Sequence, residues 1–110
     1  MASTYKVLAQ AAPSATTEST LYTVPAATSA VVSTIAIANQ AGTSGTYRIA
    51  VRPAADVSTT QKHWIVYGAT VGASDSIMLT LGVTLAAGDL IRVYASSANM
   101  SFSAFGSEIS

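Results

Sequence analysis

Residues 33–54, STIAIANQAGTSGTYRIAVRPA, form two runs in which apolar and small polar residues alternate, joined by a Gly/Ser/Thr turn. A period of two is the signature of a β-strand, whose successive side chains point to opposite faces. Over residues 30–38 the alternation sets Val31, Ile35 and Ile37 on one face and Val32, Thr34, Ala36 and Ala38 on the other. In the second run Tyr47, Ile49 and Val51 alternate with Thr46, Arg48, Ala50 and Arg52, and Pro53 ends the strand. The same pattern predicts strands at Thr4 to Ala9, Leu21 to Val24, His63 to Tyr67, Ser76 to Leu81, Leu90 to Ala95 and Ser101 to Ile109. Between them lie turn-forming stretches such as Gly72-Ala73-Ser74-Asp75, Ala87-Gly88-Asp89 and Ser96 to Asn99. Thr84 to Ala87 has room for one turn of helix, and no amphipathic helix of ten residues is in view. Some eight short strands predict an all-β chain, a single antiparallel β-sandwich or jelly-roll-like domain, rather than a βαβ fold. No repeat of fixed period points to a solenoid.

At 110 residues the chain has the length of one domain. Within it, residues 10–20, QAAPSATTEST, are low in bulk, and Pro13 bars a regular helix or a central strand. The expected division is therefore an N-terminal strand and extended arm over residues 1–20, followed by a β-sandwich over residues 21–110. The apolar stretch Val7-Leu8-Ala9 is too short for a signal peptide, and no run approaches the roughly 20 residues of a transmembrane helix.

Charge sharpens this picture. Half of the residues are apolar and only 9 % are charged, against about a quarter in ordinary domains. Five bases balance five acids, and Lys6, Arg48, Arg52, Lys62 and Arg92 are scattered. That leaves no basic stripe for nucleic acid or for an anionic membrane surface, so neither partner is expected. Without cysteine there are no disulfides or thiolate metal sites. Strand faces of Ala, Ser and Thr lack the Lys, Glu and Pro that usually guard exposed sheets. Such faces cost little side-chain entropy and strand no charge when another subunit covers them.

Candidate chemistry is sparse. His63 is the lone imidazole, so histidine catalysis would rest on KHWIVY, and a structural histidine is the plainer reading. One histidine with dispersed acids makes no usual zinc site, and Asp56, Asp75 and Asp89 lie in separate turns without calcium-loop spacing. G-x-S-x-G, G-x-G-x-x-G and the P-loop pattern are all missing, so no enzyme, metal or cofactor is expected. Trp64, Tyr67 and Tyr94 would make a flat platform for a sugar if they converged outside the sandwich, while core or interface packing would use them equally well. Alternation places Trp64 with Val66, opposite His63, Ile65 and Tyr67. Asn99-Met100-Ser101 matches a glycosylation acceptor only at the level of chance.

The segments LYTVP, YRIAVRP, GVTLAAGD and the ending FGSEIS, within a similarity running from about Leu21 to Ser110, resemble small virion structural proteins of tailed bacteriophages, notably those of cyanophages. The resemblance implies a β-sandwich accessory protein located in the virion: a capsid decoration or cement protein, or alternatively a tail, baseplate or fibre component that binds host surface glycan. Its partners would be the major capsid protein or other virion proteins, with self-association, a trimer being the expected oligomer. Bottom-up, the candidate contact residues are Tyr5, Leu8 and Tyr22 near the arm, Arg48 and Arg52 at the rim, and Trp64, Phe102, Phe105 and Ile109. At least half of the apolar ones are expected to serve the core instead.

Overall fold

The computed structural model describes residues 3–110. Strands run over Ser3–Ala11 (β1), Ser19–Thr23 (β2), Ser29–Asn39 (β3), Gly45–Arg52 (β4), Trp64–Val71 (β5), Ser76–Leu85 (β6), Leu90–Ala95 (β7) and Met100–Ile109 (β8), with one 3-10 turn at Gln61–His63. Pairing is nested: β1 with β8, β2 with β7, β3 with β6 and β4 with β5, all antiparallel. The chain is thus one long double strand, rolled so that β8 also meets β3 and β7 meets β4. The result is two four-stranded sheets, β1-β8-β3-β6 and β2-β7-β4-β5, the strand order of a jelly roll.

Between the sheets lie Val32, Ile35, Ile37, Ile49, Ile91, Val93, Met100 and Phe102, each at most 1 % exposed. Phe102 meets the Tyr47 ring edge-on at 6.3 Å between centroids, a geometry aromatic pairs favour. Asn39 is a buried polar residue at the end of this core. Its amide nitrogen lies within hydrogen-bonding distance of the Thr43, Val71 and Gly72 carbonyls, and its Oδ1 accepts from the Ala41 N–H. It ties the β3–β4 and β5–β6 turns together at one end of the sandwich, which compensates its burial.

Three expectations are corrected. A bulge between Val32 and Thr34 admits Ser33 as an extra residue, so Val32 joins Ile35 and Ile37 in the core while Val31 turns outward. Thr84 and Leu85 belong to β6 rather than to a helical turn, and the following turn is fixed by Asp89, whose carboxylate accepts from the Ala86 and Ala54 N–H groups. The strand expected at Thr4 to Ala9 is present as Ser3–Ala11 in the first sheet, but the arm expected over residues 10–20 does not project: Gln10 and Ala11 continue β1, and the boundary expected after residue 20 falls inside β2. The link between β1 and β2 crosses from one sheet to the other with Pro13 buried and the Thr16 N–H donating to the Ala95 carbonyl. Met1 and Ala2, the first residues of that expected segment, lie outside the described residues.

Candidate functional site

The outer face of the β2-β7-β4-β5 sheet holds the aromatic cluster. Arg48 on β4 stands opposite Tyr67 on β5 and Tyr94 on β7. Its guanidinium carbon lies 4.1 Å from the Tyr67 ring centre and 4.2 Å from that of Tyr94, with Trp64 at 5.9 Å. The Trp64 and Tyr67 rings meet edge-on at 5.6 Å. A cation between ring faces is held by their quadrupoles, and a planar guanidinium stacks there better than an ammonium would.

Two bulges create this convergence. Along β5 the register pairs Trp64 with Ala50, Val66 with Ile49, Tyr67 with Arg48 and Ala69 with Tyr47, leaving Ile65 and Gly68 as extra residues. The first bulge reverses the simple alternation: Val66 turns toward the core, and Tyr67 joins Trp64 outside. Gly68 permits the second bulge because its φ is +79°, a conformation side chains resist. An isolated glycine inside a strand is the sequence cue that could have announced it.

Beside the rings, the long β4–β5 connection lines an open groove of about 610 Å³ with Thr59, Thr60, Gln61, Trp64 and Tyr67. Polar contacts fix that connection. The Thr60 N–H donates to Nδ1 of His63 at 2.8 Å, so the ring proton sits on Nε2, 2.7 Å from the Asp56 carboxylate. Both imidazole nitrogens are therefore committed, and His63, 4 % exposed, holds the loop in shape. The His63 hydrogen bond is the leading cause that keeps the Asp56 carboxyl below its ordinary range; burial opposes it, and Lys62 assists. Nearby, Glu18 accepts from Nε of Arg92 at 2.7 Å and from the Thr59 hydroxyl at 2.6 Å, while Arg52 donates to Thr59. Burial alone would raise the Glu18 carboxyl, yet these donors hold it low. This network clamps the β1–β2 link to β7 and to the groove wall.

The opposite sheet presents a different surface. Register and burial together place outward Tyr5, Val7 and Gln10 of β1, Ser103, Phe105 and Ile109 of β8, Val31, Thr34 and Ala36 of β3, and Met78, Thr80 and Thr84 of β6. None of these carries a charge. Tyr5 is 85 % exposed, Met78 69 % and Val7 50 %. Lys6 has the other parity and reaches Glu108 at 2.7 Å along the sheet margin. Glu108 also accepts from the Tyr22 hydroxyl. The Lys6 and Tyr22 hydrogen bonds keep the Glu108 carboxyl low, while burial and then Glu108 push the Tyr22 phenol up.

The expected contact residues therefore divide by place. Tyr5, Phe105 and Ile109 gather on the outer face of the β1–β8 pair. Arg48, Arg52 and Trp64 lie on or beside the other sheet's outer face. Tyr22 and Phe102 are core residues, and Leu8 packs against the core from a bulge in β1. Sequence reasoning missed Val7, Val31 and Met78 as outward apolar residues, since their faces depend on bulges and on which strands are neighbours. Among the described residues no three His, Cys, Asp or Glu side chains come together as metal ligands, and no helix is long and apolar enough to cross a membrane. Compared with known families and with curated proteins, the chain matches none.

Proposed function

We propose that this chain is a non-enzymatic structural protein of a tailed-phage virion, a decoration or cement subunit whose β1-β8-β3-β6 sheet packs against the major capsid protein or a further copy of itself. The observation that carries this reading is the uncharged outer face of that sheet, with Tyr5, Val7 and Met78 exposed upon it. Edge strand β6 adds to it: its ten residues include no charge and no proline, the usual guards against pairing with another chain. A subunit that binds only the assembled shell would stabilise that shell by mass action without chemistry.

Quantitative mass spectrometry of purified virions tests this. A copy number comparable with the major capsid protein is expected. A few copies per particle would shift the role to the tail, baseplate or fibre, the second reading, which the aromatic face of the other sheet favours. Absence from the particle would overturn both.

A further inference from the structure

Arg48 differs from the chain's other cations in its surroundings. Lys6, Lys62 and Arg92 each pair with a carboxylate, and Arg52 donates to Thr59 beside Glu18. Arg48 makes no ion pair and no side-chain hydrogen bond among the described residues. Arg48 is half-buried, and its guanidinium carbon lies 4.1 Å from the Tyr67 ring centre and 4.2 Å from that of Tyr94. Contact with the rings spends none of the guanidinium's N–H donors on an acceptor, and those donors match the two oxygens of a carboxylate. The adjoining groove supplies complementary features: ring surface from Trp64 and Tyr67 for an apolar C–H face, and Thr59, Thr60 and Gln61 for hydroxyls. Its volume of about 610 Å³ lies within the range of small-ligand sites.

We propose that this groove binds an acidic saccharide, one sugar ring set in the corner between the Trp64 and Tyr67 rings, which stand 73° apart, with a uronate carboxylate taken by Arg48 beside the groove. An acidic side chain of a partner protein could satisfy Arg48, yet it would leave the hydroxyl- and amide-lined groove unused. The saccharide uses both halves of the site. This site is on the sheet opposite the uncharged face, so the inference stands or falls separately from the packing role.

Trp64 is the chain's single tryptophan, so its fluorescence reports on the groove directly. Four probes are titrated: trigalacturonic acid, its methyl ester, a neutral galactose trisaccharide and an aspartate-rich peptide. The acid should change the Trp64 signal saturably and bind about tenfold or more tighter than the ester, the loss expected when a charged hydrogen bond is removed. Arg48→Gln should bring the acid down to the level of the ester, and Arg48→Lys, which keeps charge but not two-ring stacking, should fall between. Equal binding of acid and ester to the unaltered chain would overturn the role of Arg48. No saturable response to any saccharide would overturn the site, as would a response only to an aspartate-rich peptide.

Discussion

At Gly106 the two inner strands of the uncharged sheet, β8 and β3, leave no room for a side chain. A Cβ there would stand 1.9 Å from the Val31 carbonyl oxygen, and backbone cannot yield as a flexible side chain does. Gly106→Ala should therefore force β3 and β8 apart, costing about 1–3 kcal/mol or more, and thermal denaturation would register it as a lowered Tm. Gly68→Ala meets no atom within 4 Å and should be milder, its cost being the strain of a positive φ. Acid stability is also set by single residues. Glu18, Asp56 and Glu108 all titrate below their ordinary values of 4.5, 3.8 and 4.5. The stabilisation they supply is complete above those ordinary values and disappears as pH falls through the lowered ones. Tm should decline below about pH 5, and Glu108→Gln should flatten part of that decline while lowering Tm at neutral pH. An unchanged acid limb in Glu108→Gln would mean that the Lys6 and Tyr22 contacts carry no net stabilisation.

Strand β1 shows how an element's role depends on its neighbour rather than on its composition. STYKVLAQA carries the alternation of a short strand over Thr4 to Ala9, but it is exposed along much of its length and its composition names no partner. In the fold it covers β8, whose other edge is already taken by β3. Deleting residues 1–11 would expose the backbone donors and acceptors of β8 and unpair Glu108. The expected outcome is a lower Tm together with self-association measurable by sedimentation, and a truncated chain that stayed monomeric at unchanged Tm would contradict it. The bulges of β3 and β5 act at the same scale. Each inserts one residue, reverses the facing of everything on one side of it, and so decides whether Val31, Val32, Val66 and Tyr67 meet core or surroundings.

For the whole molecule the notable feature is the separation of its two outer faces. The outer face of one sheet collects Arg48 and the aromatic rings, with the Glu18–Arg92 network beside them, while the outer face of the other carries uncharged side chains, its Lys6–Glu108 pair lying at the margin. The principal-axis extents of 45 × 28 × 19 Å fit two layers about 10 Å apart with their side chains, so both faces stay available to separate partners. Placing a charge on the uncharged face should cost little stability, because Met78 is 69 % exposed and its replacement creates no cavity. Met78→Lys combined with Thr80→Lys should therefore leave Tm unchanged and sharply reduce occupancy on reconstituted particles. Unchanged occupancy would remove this face from the contact.

Alternation alone marked out the strands, their approximate limits and the sandwich class, because a period of two is a local property that a half-buried strand imprints on its own residues. The polar turns and the shortage of charge were legible for the same reason. Local spacing could not reveal that Arg48 would sit between Tyr67 and Tyr94, whose strands are brought to either side of β4 only by the rolled pairing. Spacing of three does put Phe102 and Phe105 on opposite faces of β8, yet which of the two faces is the core, so that Phe102 is fully buried and Phe105 faces out, follows from the sheet that packs against it. The burial periodicity was written along the chain; the bulges, the neighbour relations and hence the two contrasting faces came from long-range backbone pairing, which no short window of sequence contains.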